Sequence, residues 1–234
     1  MSAIVKRELS SYFNSAVGYI VLAVFTFFSG MYFYGYCLYM DTSSMSYVFA
    51  RMLLIIVFLV PLMTMKSFAE EKRQKTDQAL LTAPVSLFGV VMGKFIACFV
   101  LYALCCAIFV VYALIIAIFT TPDWVVLFTT LLGVLLMGAA LIAIDLFISA
   151  LTESQAVAAI FAIGAGLLIY MIDSLASLVN VDFIKNILYG ISFNQYFYPF
   201  TVGIITLSGV VFFLSVTGLF LFLSARVFEK RRWS

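Results

Sequence analysis

The sequence predicts an all-α polytopic membrane protein with six transmembrane helices, on three observations. Hydrophobic residues make up 65% of the 234 residues and charged residues only 10%, whereas a soluble domain is about a quarter charged. Several apolar runs exceed the ~18 residues that a helix needs to cross a bilayer. The alternating segments of about ten residues that are typical of a transmembrane β-barrel are absent.

Residues 3–14 predict an amphipathic helix on the membrane surface. Apolar residues recur there at spacings of three and four, with charged residues between them: Ile4, Val5, Leu9, Tyr12 and Phe13 alternate with Lys6, Arg7 and Glu8. A cleaved signal peptide is not expected, because no small-residue cleavage site follows and the next apolar run continues to about Met40.

The apolar runs predict six spans. They cover about residues 17–39, 47–65, 89–119, 125–151, 156–172 and 201–223. Pro61 predicts a kink near the inner end of span two. Span three is longer than one crossing requires, so we expect it to tilt or to protrude.

The longest polar stretch, Lys66 to Thr82, separates spans two and three. Charged residues cannot remain in hydrocarbon, so the stretch must emerge into water. Ser67 and Glu70 fit a capping box, and Glu71 precedes Lys75 by four residues in the favoured order. We therefore expect a short helix at the membrane surface, with a solvated turn as the alternative.

Residues 173–198 mix polar and apolar side chains, and no run within them is long enough to cross a membrane. One or two short amphipathic or re-entrant helices are expected here, packed on or dipping into the outer face. Pro199 precedes the predicted start of span six.

The distribution of basic residues predicts the orientation. Six spans place both termini on one side, and the positive-inside rule makes that side cytoplasmic. Only Lys185 and Arg51 lie toward the other side. The bases at the cytoplasmic side are Lys6, Arg7, Lys66, Lys72, Arg73, Lys75, Lys94, Arg226, Lys230, Arg231 and Arg232.

Two charged residues fall within the spans at similar depths. Lys94 and Asp145 are expected to approach each other or to share a hydrated pocket, because an unpaired charge there is costly. Lys94 could instead extend to the headgroups, and Asp145 could be a polar lock between helices, which we favour over a proton or ion site. Arg51 is expected to snorkel, or to pair with Asp41 or with an acid of residues 173–198.

The sequence predicts no catalytic, cofactor-binding or metal-binding residue. There is no histidine, so the commonest general base and metal ligand are missing. The stretch from Gly89 to Lys94 is one residue short of a P-loop, and Phe95 replaces the Ser/Thr. A paired-glutamate protease at Glu70 and Glu71 would need histidines. The four cysteines lie in apolar runs as small hydrophobes: Cys37, Cys98, Cys105 and Cys106.

Three stretches carry a resemblance to a known family: residues 6–13, residues 61–85 and residues 226–233. With six spans and a charged segment after span two, the chain resembles the type-2 ABC exporter permeases, and is most similar to the gliding-motility GldF-like group. It departs from that group at Asn14-Ser15, where a proline is frequent. It also departs at residues 75–78, where Gly-Thr and a glutamate are common.

The resemblance implies the non-catalytic membrane subunit of an exporter in the bacterial cytoplasmic membrane. Residues 66–82 would be a coupling helix that docks on a separate ABC ATPase, and residues 3–14 a connecting helix. Two ATPase chains would bind ATP and Mg, and a second permease chain, identical or homologous, would complete the transporter. The implied ATPase contacts are Glu70, Glu71, Arg73, Thr76, Asp77 and Leu80.

Two other functions stay open. In a mechanotransmission or scaffold subunit, ATP hydrolysis would act on an extracytoplasmic partner protein and nothing would cross. An ion-coupled carrier would need several intramembrane acids, and Asp145 is the one clear case. Membrane lipids are expected partners and nucleic acid is not. Aromatic residues of span one suit a lipidic or peptide substrate, or simply face lipid.

Overall fold

The computed structural model describes residues 2–40, 42–73, 86–178 and 181–232, and within these ranges every regular element is helical. The helices are α1 (Ser2–Asn14), α2 (Ala16–Phe33, continued by a π-helical turn, Tyr34–Leu38), α3 (Ser46–Arg73), α4 (Leu87–Cys106), α5 (Ile108–Phe119), α6 (Trp124–Leu151), α7 (Gln155–Leu178), α8 (Asp182–Gly190), α9 (Phe193–Thr201) and α10 (Leu207–Arg232).

Six helical segments in the described ranges are long and apolar enough to cross a membrane, which confirms the predicted number of spans. Helices α4 and α5 form one such segment, joined at Ala107, whose backbone stays in the α region. Spans one to four begin and end within a few residues of their predicted limits, except where span two continues beyond residue 65. The lengths of the apolar runs are thus sufficient to locate spans one, three and four and the start of span two.

The predicted start of span six at residue 201 is wrong. Residues 193–201 form the separate helix α9, which contains Pro199, and α10 begins at Leu207. A Schellman motif ends α9: Gly203 has φ +87°, its N–H bonds to the Phe200 carbonyl, and the Ile204 N–H bonds to the Pro199 carbonyl.

Span five is longer than predicted, because α7 continues to Leu178. Among the described residues, 181–198 contain two short helices, α8 and the first part of α9, as expected from the mixed composition. Asp173 on α7 accepts a hydrogen bond from the Ser192 hydroxyl at 2.5 Å, and Ser192 in turn caps α9. Helix α9 is therefore tied to the end of span five.

The N-cap predicted at Ser67 is also wrong. Helix α3 continues through Ser67 without a break and ends, among the described residues, at Arg73. Ser67, Phe68 and Ala69 are buried against neighbouring helices, so tertiary packing overrides the local preference of serine for a cap. Residues 74–82, with Thr76, Asp77 and Leu80, lie outside the described residues, and a coupling helix there stays a prediction.

Helix α6 is the centre of the bundle and packs against α3, α4, α7, α9 and α10. Small residues let these neighbours approach. A Cβ atom added at Gly133 would lie 2.8 Å from Phe200 Cβ, and one added at Gly138 would overlap the ring of Tyr102. Phe200 and Tyr102 are themselves buried. Large aromatic side chains thus fill the space that the α6 glycines leave open.

Candidate coupling site at the terminal end of the bundle

Both described ends of the chain lie at one end of the bundle, which we call the terminal end. The Tyr12 hydroxyl of α1 donates to the Met63 carbonyl of α3 at 2.8 Å. Phe228, near the end of α10, packs on Phe68 of α3 with ring centroids 4.6 Å apart. The end of α3 is therefore held between the first and the last helix of the chain.

Four charged side chains from three helices form a closed cycle here, the charge cluster (Arg7, Glu8, Glu71 and Lys94). The Lys94 ammonium lies 2.9 Å from Glu71 Oε1 and 3.1 Å from Glu8 Oε1. The Arg7 guanidinium lies 3.0 Å from Glu71 Oε1 and 2.7 Å from Glu8 Oε1. Each carboxylate thus bridges both cations, and two positive charges balance two negative ones.

Lys94 is the buried member of the charge cluster. Its side chain is 1% exposed, compared with 54% for Arg7. Its ammonium donates hydrogen bonds to the Ser67 carbonyl at 2.6 Å and to Glu8 at 3.1 Å, and forms an ion pair with Glu71. The nitrogen lies 5.1 Å from the centroid of the Phe68 ring. A buried cation that is paired with two carboxylates avoids the penalty of an unpaired charge.

Arg7 closes the charge cluster on its solvent side. The hydrogen bond to Glu8 raises the pKa of Arg7 above its ordinary value, so the guanidinium carries its charge throughout the physiological range. The exposed cation of the charge cluster is thus a permanent charge on α1.

The ion pairs of Lys94 in the described part of the chain are with acids other than Asp145. Lys94 pairs with Glu71 and Glu8, and no ion pair in the described part of the chain joins it to Asp145. Its burial also excludes the alternative of extension to the headgroups. The reason is that α1 packs along α4 and brings Glu8 to a depth that the apolar runs do not reveal.

Asp145 lies on the central helix α6 and is 3% exposed. Its Oδ2 has no hydrogen-bond partner. The interhelical hydrogen bond that a polar lock requires is thus missing for this atom. Arg51 lies on α3 toward the opposite end of the bundle, where it is exposed and forms no ion pair with a described carboxylate. Asp41 is outside the described residues.

Helix α6 also holds the end of α3, through Ser149. The Ser149 hydroxyl accepts from the backbone N–H groups of Phe68, at 3.3 Å, and Ala69, at 3.2 Å, and contacts the Met65 carbonyl at 3.4 Å. One turn further on, the buried Lys72 ammonium donates to the Ala150 carbonyl. These bonds connect α3 to the last turn of span four.

Tyr12 adds a third connection at this end. Its side chain is 7% exposed, and its oxygen lies 3.1 Å from Cys98 Sγ as well as 2.8 Å from the Met63 carbonyl. Burial raises the pKa of Tyr12 well above its ordinary value. The phenol therefore remains protonated and donates to the Met63 carbonyl, which fixes α1 against α3.

The family comparison decides the class of protein. The model described as "ABC-2 family transporter protein" matches residues 38–227, most of the chain. The chain belongs to the ABC-2 transporter family. With its six apolar helices it is a multi-pass membrane protein and a permease subunit of an ABC transporter. None of the curated proteins compared with this chain matches it.

Membership in the ABC-2 family implies an ABC ATPase subunit as partner, and members are typically non-catalytic membrane subunits for which the bacterial inner membrane is the fitting location. The match begins after α1. The part of the charge cluster that α1 supplies therefore lies outside the matched residues, and its interpretation depends on the geometry alone.

The structure divides the predicted ATPase contacts of this ABC-2 permease into three groups. Glu71 belongs to the charge cluster, with its side chain 18% exposed. Glu70 is half-buried, and Arg73 is exposed. The other three predicted contacts, Thr76, Asp77 and Leu80, lie outside the described residues. Among those described, Arg73 is the side chain most accessible to a partner protein.

Sequence reasoning missed Glu8, Ser149 and Tyr12 as site residues. For Glu8 a signal was present: a lysine one turn inside a span at the basic end needs an acid from the segments at that end. No comparable signal marks Ser149, because serines are common in spans. Among the described residues, no cluster of His, Cys, Asp and Glu could hold a metal ion.

Proposed function

We propose that this permease is the membrane subunit of an ATP-driven exporter of the GldF-like group, on which a separate ABC ATPase docks at residues 66–82. The observation that supports this proposal is the continuity of α3. It is a single helix of 28 residues that runs from the opposite end of the bundle to Arg73. Residues 66–73 of the docking segment are thus the last turns of a spanning helix.

A continuous helix transmits displacement along its axis. At 1.5 Å per residue, α3 is about 42 Å long, and at the terminal end it is bonded to α1, α4 and α6. A push on the residues after Arg73 would therefore move several helices together. In the proposed cycle, ATP binding brings the two ATPases together, and their movement tilts these spans. The docking face and both termini are cytoplasmic in this proposal.

The complete transporter would contain two permease chains and two ATPases, with ATP and Mg held by the ATPases. Spans one and five, α2 and α7, are less buried within the chain than spans two, three and four. Their apolar surfaces fit contact with lipid and with a second, identical or homologous, permease. The proposed path runs between the two permeases along spans one, two and five.

A mechanotransmission subunit is the second candidate function, and the surface of α8 favours it. This helix lies at the end of the bundle opposite the termini, and Phe183 there is 74% exposed. Ile184 and Ile187 are exposed on the same face. Such a surface could contact an extracytoplasmic partner protein. The ion-coupled carrier is disfavoured, because the chain belongs to an ATPase-linked family.

The docking proposal is tested by reversing one exposed charge. We expect Arg73→Glu to weaken binding of the ABC ATPase about tenfold, because reversal places like charges at an interface. The fold should be unaffected, since the side chain is exposed. Binding of the ATPase to the purified full-length permease in detergent measures the effect.

Arg51→Glu is the matched control, because Arg51 is an exposed arginine on the same helix at the opposite end. It should leave ATPase binding unchanged. Equal binding by wild type, Arg73→Glu and Arg51→Glu would remove Arg73 from the docking face. Failure of any ABC ATPase to bind the wild-type chain would contradict the exporter proposal as a whole.

A further inference from the structure

We infer that Lys94 is a positioning residue for ATP coupling: it makes the docking segment, span three and α1 move as one body. This inference rests on the proposed function and goes beyond it, because it assigns the transmission of movement to a residue that touches neither the ATPase nor a substrate. It also gives Glu71 an internal role in place of the predicted contact with the ATPase.

The path of the chain places the ion pair of Glu71 and Lys94 between the end of α3 and the start of α4. Residues 72–93, which include residues 72–82 of the proposed docking segment, connect Glu71 on α3 to Lys94 on α4. The 2.9 Å ion pair between Glu71 and Lys94 therefore closes the base of this connection. When a partner displaces the segment, the ion pair prevents α3 and α4 from separating, so the movement passes into both spans.

The charge cluster also connects helix α1 to the base of the segment. The Lys94 ammonium also binds Glu8 at 3.1 Å, and Arg7, the neighbour of Glu8 on α1, binds Glu71 at 3.0 Å. The connection from α1 to the base of the segment is thus double, once through each cation. Because α1 is amphipathic and lies outside the six spans, this link carries movement of the docking segment to the membrane surface.

The charge cluster can fix the positions of helices in a way that apolar contacts cannot. A buried ion pair is seldom needed for stability, since apolar residues of similar size stabilise a protein equally well or better. Charged hydrogen bonds differ from apolar contacts in being directional and short, and here Lys94 donates to Glu8 of α1 and to Ser67 of α3 and forms an ion pair with Glu71. They define the relative position of three helices, whereas apolar contacts would allow them to slide.

The test separates stability from coupling with two variants. Lys94→Met removes the buried cation from between the two carboxylates, and should lower the midpoint of thermal unfolding by about 10 °C. The double variant Glu71→Met/Lys94→Met removes one charge of each sign and keeps the 2.7 Å pair of Arg7 and Glu8. Because the double variant is charge-balanced, it should regain most of the lost stability.

Coupling is measured with a fluorescent label on span three. The native cysteines are buried, so a cysteine introduced by Leu104→Cys, at an α4 position that is 49% exposed, can be labelled selectively. The complex of the full-length chain with its ABC ATPase is trapped with ATP and vanadate. The change in label fluorescence on trapping reports the movement of span three.

We expect the change in fluorescence on trapping to fall about tenfold in the double variant, a factor within the usual range for coupling between two sites. The ATPase should stay bound, and the stability should be restored. The control is Arg226→Met/Glu229→Met, which removes an exposed 2.6 Å ion pair on α10 at the same end and should leave the change intact.

A double variant that regains both stability and the full fluorescence change would overturn the inference, because the charge cluster would then serve stability alone. A control variant that loses the change equally would also overturn it, because any loss of charge at this end would suffice. If no ABC ATPase binds even the wild type, the proposed function fails and takes this inference with it. Retained ATPase binding with an unaffected double variant defeats the inference alone.

Discussion

The contact between Gly138 and Tyr102 sets how closely span three approaches the central helix α6. Tyr102 is 2% exposed, and its hydroxyl donates to the Val134 carbonyl of α6 at 3.0 Å. A Cβ atom at position 138 would overlap the Tyr102 ring and lie 2.7 Å from its oxygen. Gly138→Ala therefore cannot be accommodated unless a buried ring moves.

The expected loss of unfolding free energy in Gly138→Ala has two parts. Overpacking a close-packed core costs about 2 kcal/mol, and loss of the buried hydrogen bond from Tyr102 adds about 1 kcal/mol. The sum of about 3 kcal/mol corresponds to a fall of roughly 6–12 °C in the unfolding midpoint for a chain of this size. Thermal unfolding of the purified protein in detergent, followed by intrinsic fluorescence, provides the measurement.

Gly218→Ala is the matched control. Gly218 lies within the spanning helix α10, and a Cβ atom added there would meet nothing within 4 Å. The gain in helix propensity from glycine to alanine is common to both variants and cancels in the comparison. In a Tyr102→Ala background the penalty of Gly138→Ala should disappear. Equal stability of the Gly138→Ala and Gly218→Ala proteins would refute the close packing of α4 on α6.

Two further predictions concern polar groups on α6. Ser149→Ala removes the acceptor of the Phe68 and Ala69 amides. The free energy that protects these amides from hydrogen exchange should fall by about 1 kcal/mol, so exchange at the end of α3 should become faster. Mass spectrometry of the corresponding peptide measures it, and unchanged exchange would contradict a role for Ser149. Asp145→Asn should lower the unfolding free energy by less than about 1 kcal/mol, because Oδ2 has no hydrogen bond to lose. A clearly larger loss in denaturation of the purified permease would mean that the carboxylate makes a stabilising contact within the folded chain.

Helix ends could be predicted where the signal is local. Asp123 accepts from the Val126 N–H and caps α6, and Ser192 caps α9 in the same way, as these residue types favour. Gly203 likewise ends α9 because its backbone takes a left-handed conformation. Ser67 is the exception among these signals. Its cap is not formed, because burial of the next two residues stabilises the helix through it.

The partners of Lys94 could not be predicted by the same reasoning. The depth of a residue in the membrane can be estimated from its position in the apolar run, and similar depth alone favoured Asp145 as the partner of Lys94. Which acid meets the lysine depends instead on how α1, α3 and α4 are arranged around each other. Glu8 and Lys94 are separated by 86 positions in the chain, and no local pattern encodes a contact of that range.

The sequence by itself determined the number of spans, the amphipathic first helix, the absence of a Walker motif from this chain and the family to which it belongs. These properties depend on hydrophobic run length, helical periodicity and short motifs, all of which act over neighbouring residues. Only the tertiary structure decided that span two continues to Arg73 and that Glu8, Glu71, Arg7 and Lys94 meet. Buried charges take whichever partner the helix packing supplies, so their pairing becomes visible only when the helices are assembled.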